Sequence, residues 1–424
     1  MIKFEKISEE QKSMLDFLKN FGANLSKKYN QEYLLKTVKN KEIPMELLSE
    51  VANKALSAGI AQYLGMFIAG EGAFPIKLNT LRLVVVEMAD ELSGTNLIDL
   101  MSAFRPLQLL STSMGLAAIA AGHGMDEVMN KYVPQVLAGN FISWAITEPD
   151  AGTNTHKVTT TAVNEGDYYR LNGQKVFITD AKESKYMVLV AKVISDGEYK
   201  GIHNIVIDSG SKGVSMTPMD IALTGDTQYN VYFDNVMVPK ENLLIRELKG
   251  KDERKDKEKE ISVGTFSSLN LERIWVAMFG VALGRIIVNK AVEYAKQQKI
   301  FESPIGAYQG VKQSLAEVKI KVELANLANQ RAAEAYDNRE DPEVVGAYAN
   351  MAKLVGGEVV DEALKVALQI YGSYGFLKEN ELVALLPTGR LSRVAPINNE
   401  MVLNYLGEHI LGLPKSYRVS LKAF

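Results

Sequence analysis

The sequence predicts an α+β chain in three parts: helices, a mostly antiparallel sheet, then helices again. Two changes of hydrophobic period carry that reading. Apolar residues recur at helical spacing through 1–139, alternate through a Val-, Thr-, Tyr- and Phe-rich 140–246, and recur at helical spacing again through 263–424. A dense mixed-charge run, "RELKGKDERKDKEKEISVG", adds the third observation. It makes 247–262 a charged linker, solvated as a loop or as a helix face.

The first part opens with "ISEEQKSMLDFLKNFGANL", where Ser8 and Gln11 stand at capping-box spacing. "PMELLSEVANKALSAG", "LNTLRLVVVEMADELSG" and "DEVMNKYVPQVLAG" follow, with Gly59, Gly94 and Gly139 where C-caps belong. Leu107–Ala121 is the most apolar stretch, but it is too short to span a bilayer and reads as a buried core helix. The N-terminus has no continuous apolar core of the secretory kind, so a cytoplasmic protein is expected.

In the central part, Asn172-Gly173 sits between two strand-like runs and predicts a type I′ hairpin turn. "YMVLVAKV", "HNIVIDS", "VSMTPM" and "QYNVYFDNVMVP" continue the strand character to Pro239. In the third part, "ERIWVAMFGVALGRIIVNKAVEYAKQQK", "YQGVKQSLAEVKIKVELANLANQRAAEAY" and "VVGAYANMAKLVGGEVVDEALKVALQIYG" each carry an apolar helical stripe.

Much chemistry is excluded at once. The 424 residues contain no cysteine, which removes disulfides, thiolate catalysis and thiolate-held metals. Four histidines (His123, His156, His203, His409) share no metal-ligand spacing, and no metal site is expected. A net charge of −3 points to neither nucleic acid nor an anionic membrane. "GVALGR" lies inside a helical pattern, so close helix packing explains Gly280 and Gly284 better than a dinucleotide loop does. An enzyme built this way needs an organic cofactor to supply its reactivity, with a carboxylate as base.

"WAITEPDAGTNT" (144–155) ends an apolar run in Pro, Gly and small hydroxyls, and "VFITDA" (176–181) offers a second aromatic-then-Thr set. Such groups suit the rim of a flat isoalloxazine ring, but on spacing alone both stretches read as ordinary strand ends.

Several motifs add a resemblance. "WAITEPDAGTN" resembles the "TEPxAGSD" signature of the acyl-CoA dehydrogenase family, and "DYYRLNGQKVFITDA" resembles its "Y.LNG.K.WITN" segment. "FDNVMVPKENLL", "LNLERIWVAMFGVALG", "QIYGSYGF" and "RLSRVAPI" look like four further family segments, in the family's order. The matches run from about residue 8 to 412. The resemblance implies an N-terminal helical domain, a central β domain and a C-terminal four-helix bundle. It further implies FAD as cofactor, an acyl-CoA substrate, electron-transferring flavoprotein as acceptor, and a homotetramer or a hetero-oligomer with a paralogue.

Carried over position by position, the resemblance has Trp144, Ile146 and Thr147 line the flavin, with Thr153 reaching the phosphate or substrate side. Phe177, in place of the usual Trp, and Thr179 take the aromatic and N5-contacting roles. Gln298, Gln369, Gly372, Asn398 and Glu400 complete the cofactor set. Most members carry the base in an "EGT" element, which "RVAPINNEMVLNYLGEH" lacks. A minority, the isovaleryl- and long-chain-type members, place it in "LxxER", and Glu272 occupies that position. Glu272 reads otherwise as a helix-start acid facing the helix dipole. Arg273 would orient the base or contact the acyl-CoA, with Asn270 beside it. Gln298 stands where an Arg for the FAD pyrophosphate is expected, and Glu302 replaces a Gly. Those departures leave two alternatives: a silent or half-site subunit of a hetero-oligomeric dehydrogenase, and another flavin reaction, such as an oxidase or desulfinase, on the same scaffold.

Overall fold

The computed structural model describes residues 8–9, 12–13, 16, 20, 78–92, 131–132, 135, 140, 142–221, 228–244, 251–377 and 380–416, with the backbone alone for 251–268. The helical runs read at 44–59 and 107–121, and the glycines Gly59, Gly94 and Gly139, lie outside these residues. The described residues fall into two units, a helical one that contains 78–92 and 269–416 and a sheet unit that contains 142–244.

Seven strands make the sheet: β1 (Ile142–Ala145), β2 (Thr161–Asn164), β3 (Tyr168–Thr179), β4 (Tyr186–Ser195), β5 (Glu198–Asp208), β6 (Val214–Pro218) and β7 (Gln228–Pro239). The order is β1-β4-β2-β3-β7-β6, with β5 on β4. The sheet is mixed. β1 and β2 both run parallel to β4, and the remaining pairs are antiparallel. Strand β4 is central, which explains its nearly unbroken apolar sequence: Met187, Leu189, Ala191 and Val193 are wholly buried, and Val188 nearly so.

The Asn172-Gly173 pair does not turn the chain. It lies within the continuous strand β3, at a register shift against β7 between Leu171 and Gly173. Gly173 has φ +153°, and a Cβ there would stand 2.7 Å from the Cα of Thr160. The Asn172 carboxamide accepts from Asn235 N (2.9 Å), itself at positive φ. Asn-Gly serves here as a bulge and a close approach rather than a hairpin, because tertiary pairing on both edges keeps β3 extended.

In the helical unit, α1 (Leu78–Leu92), α2 (Lys251–Gln297), α3 (Gln309–Asp337) and α4 (Pro342–Tyr371) are followed by the short α5 (Glu381–Ala384) and α6 (Leu386–Leu391), then α7 (Asn399–His409). The run read as a charged linker is helical from Lys251 onward and continuous with the bundle helix. Mixed charges along a helix support it through i,i+4 pairing, so a charge run is compatible with either state.

Helix α1 groups with the C-terminal helices. The Asp337 carboxylate accepts from Leu78 N (2.7 Å) and Asn79 N (2.9 Å), capping in trans a helix with no acid in its first turn. Arg285 of α2 pairs with Asp90 of α1 and Glu323 of α3, each at 2.7 Å, and so ties three helices together. Glycine sets how closely α2 and α4 approach: a Cβ at Gly280 would meet the Gly356 carbonyl at 2.2 Å. Gly280→Ala is therefore expected to cost about 1–3 kcal/mol of overpacking, measurable as a shift of the denaturant midpoint at unchanged slope. No described helix is long and apolar enough to cross a membrane.

Candidate active site

In the sheet unit, the parallel pairing creates the loop that matters. β1 covers Tyr186–Leu189 of β4, and β2 covers Lys192–Ile194 along the same edge. The chain between them, 146–160, must leave the edge and come back to it, closing with Lys192 N donating to Thr160 O (2.8 Å). Glu148 holds the loop shut. Its carboxylate accepts from Thr159 N, from Thr159 Oγ1 (2.7 Å), from Thr160 N (3.0 Å) and from Lys175 Nζ (2.8 Å). The same ammonium donates to Ile146 O (2.8 Å).

Both side chains are buried, at 0% exposure for Lys175 and 3% for Glu148. Burial alone would raise the Glu148 carboxyl, but hydrogen bonds from Lys175, Thr160 and Thr159 carry it down to about 2. Burial pulls Lys175 down to about 8, against the opposing pull of Glu148. Both groups are therefore ionised at neutral pH. Four hydrogen bonds to a carboxylate and two from an ammonium are the geometry of charged groups, so we assign an ion pair.

The expected flavin residues gather around this loop. Thr147 O accepts from Val176 N (2.9 Å), which joins 144–148 to 175–179. β3 leaves its register with β7 between Lys175 and Ile178, and the bulge turns Phe177 outward at φ +58° and 58% exposure. The Thr179 hydroxyl accepts from Gln228 Nε2 (2.7 Å). Trp144 is half-buried against Ile142 and Val188, and its indole N–H has no partner among the described residues. Thr153 lies on the exposed outer turn of the loop.

In the helical unit, α2 sends Asn270 and Arg273 inward and Glu272 outward, as a step of 100° per residue requires. Arg273 Nη1 donates to Asn270 Oδ1 (2.7 Å), both residues being buried, while Arg273 Nε finds no partner among the described residues. Glu272 is exposed to solvent yet crowded by protein, and that desolvation raises its carboxyl to about 7 despite the nearby Arg273 charge. No ion pair joins the two side chains, so Arg273 acts on Glu272 through space.

Lys353 of α4 is fully buried nearby and donates to Asn399 Oδ1 (2.8 Å) and Arg393 O (3.3 Å). Burial and the Arg273 charge push its ammonium down to about 8, with Glu400 opposing. Asn398 caps α7 by accepting from Met401 N (2.8 Å), and Glu400 is exposed in that helix's first turn. The remaining expected residues stand elsewhere. Gly372 donates to Gln369 O at the C-terminus of α4, which is 16 residues, or roughly 24 Å of helix, from Lys353. Gln298 follows α2 where Tyr294 stacks on Tyr371 at 4.1 Å. Gln298, Gln369 and Gly372 thus share one end of the bundle, while Asn398 and Glu400 lie beside Lys353.

Sequence reasoning missed Glu148, Lys175 and Lys353. The first two lie inside motifs that drew attention for their hydroxyls and aromatics; a charged residue embedded in strand-like sequence was the available signal. Lys353 gave none, since one lysine on a helix is ordinarily solvated.

Residues 143–236 match the family model described as acyl-CoA dehydrogenase, middle domain, and residues 265–411 match acyl-CoA dehydrogenase, C-terminal domain. The acyl-CoA dehydrogenase FadE12 of Mycobacterium tuberculosis is 34% identical over 97% of this chain and 98% of its own length. A 3-(aryl)acrylate reductase of Clostridium sporogenes is 30% identical over 88% of this chain and 92% of its own. In structure, the butyryl-CoA dehydrogenase of Megasphaera elsdenii superposes with a TM-score of 0.77 at 24% identity, covering 97% of this chain and all of the other. The chain belongs to the acyl-CoA dehydrogenases, a family of FAD-dependent oxidoreductases that act on acyl-CoA.

Proposed function

We propose that this chain catalyses α,β-dehydrogenation of an acyl-CoA thioester to the 2-enoyl-CoA, with Glu272 as the base that takes the α-proton. Glu272 carries the reading: it is reached by solvent, and crowding lifts its carboxyl to about 7. A thioester α-proton is weakly acidic, so a carboxylate of ordinary basicity would take it slowly; one raised to about 7 is better matched and is still half ionised at neutrality.

The sheet-unit residues fit FAD. An exposed Phe177 and the hydroxyls of Thr147 and Thr179 offer one aromatic surface and hydrogen-bonding groups for the carbonyls and nitrogens of an isoalloxazine. When bound, FAD supplies the acceptor for the hydride that leaves Cβ. Arg273 places a buried positive charge in the neighbourhood of Glu272, which favours its ionised form once the substrate has excluded water.

The pH profile tests the base. Glu272 works ionised, so the rate of flavin reduction under saturating acyl-CoA is expected to rise tenfold per pH unit below about 7 and level off above it. A flat profile between pH 5 and 8 would remove Glu272 from the role.

Ile320, Leu324 and Leu327 form an exposed apolar stripe on α3, which supports assembly with further subunits, as a homotetramer or with a paralogue. Electron-transferring flavoprotein is the proposed electron acceptor. Gln298 and the acidic Glu302 at the β8–β9 turn (Lys299–Ile300, Ser303–Pro304) support a second reading, a subunit with an incomplete FAD site. Purified alone, the protein is expected to be yellow and to bleach anaerobically with an acyl-CoA. Colourless protein that turns yellow only with a complete relative would establish the second reading instead.

A further inference from the structure

Lys175 and Glu148 do more than hold the sheet together: we infer that Lys175 is a positioning residue that aims the Thr147 amide at the flavin, with Glu148 holding Lys175 in place. The inference rests on the FAD reading above. Ile146 C=O and Thr147 N–H belong to one planar peptide and point in opposite directions, so fixing the carbonyl fixes the amide. Lys175 Nζ fixes it, at 2.8 Å from Ile146 O.

Two further contacts remove the remaining freedom. Thr147 O is held by Val176 N (2.9 Å), and the far end of the loop is pinned by Glu148 to Thr159 and Thr160. The Thr147 N–H itself donates to no acceptor among the described residues. Its peptide is thus clamped on three sides with the donor left over, beside the outward-turned Phe177. That is the arrangement of a preorganised hydrogen bond to a planar heterocycle. A sheet held together for stability alone would be served as well by apolar side chains at 148 and 175.

The test separates positioning from stability by removing both charges together. Lys175→Met alone strands a buried carboxylate and can unfold the protein. Glu148→Gln/Lys175→Met leaves no buried charge, and the one carboxamide oxygen of its Gln still accepts from either Thr159 or Thr160. This double variant is expected to keep the circular dichroism of the wild type and to unfold cooperatively. Its Ile146 carbonyl, however, has lost its donor. FAD should therefore bind at least about tenfold more weakly, the worth of a lost hydrogen bond, with displaced visible absorption maxima and an altered flavin reduction potential. Affinity is read by titrating deflavinated protein with FAD, independently of turnover. A double variant with wild-type FAD affinity, spectrum and potential overturns this inference alone. Wild-type protein that takes up no FAD overturns it together with the functional reading.

Discussion

Glu272→Gln is expected to slow substrate-driven flavin bleaching by on the order of 10²–10⁴-fold while the protein stays yellow and folded. The substitution keeps size and hydrogen-bonding shape and removes only the basic oxygen. Since Glu272 is no part of the Thr147 and Phe177 segments proposed to hold the flavin, FAD absorbance should persist. Rapid mixing with an acyl-CoA under anaerobic conditions reads the effect directly; an unchanged bleaching rate would exclude Glu272 as the base. Stability should move the other way. A carboxyl raised from 4.5 to about 7 holds its proton longer when folded, so the folded state loses ground as pH rises from 4.5 to 7. Gln has no such penalty, so the variant should be no less stable than the parent above pH 7. An inactive and unstable variant would point to a structural role.

Glu148→Gln carries the largest expected loss of stability, about 3–5 kcal/mol at neutral pH, because it leaves the Lys175 ammonium buried without its counter-charge. Denaturant unfolding at constant slope measures it. The pH dependence gives an independent check. Glu148 is held below its unfolded value of 4.5, at about 2, so its contribution is complete above pH 4.5 and is lost as pH falls through 2. The wild type should lose stability across that window, and the Gln variant should show a flatter profile there. Parallel profiles would mean that the carboxylate is not tied up as the contacts indicate.

The order of helix and strand, and most of the candidate residues, were legible before any coordinates. Helix periods of 3.6 and strand periods of 2 are local properties, and the 309–337 and 342–371 helices follow directly from them. Glu272 was legible through the resemblance of "LNLER", and Gly280 through its place in a helical pattern. The Asn172-Gly173 turn was misread because the same dipeptide serves a hairpin and a bulge. Its choice depends on Thr160 and Asn235, which are distant in sequence.

What the sequence by itself determined is therefore the period of each segment, the absence of thiol chemistry, and the family whose motifs it carries in order. What only the tertiary structure decided is which charges lose their water. Lys175 and Lys353 look like any other lysines in one dimension, yet packing buries both completely, while the desolvated Glu272 is still reached by solvent. Desolvation depends on every atom that surrounds a group, and those atoms come from strands and helices that meet only after the chain has folded.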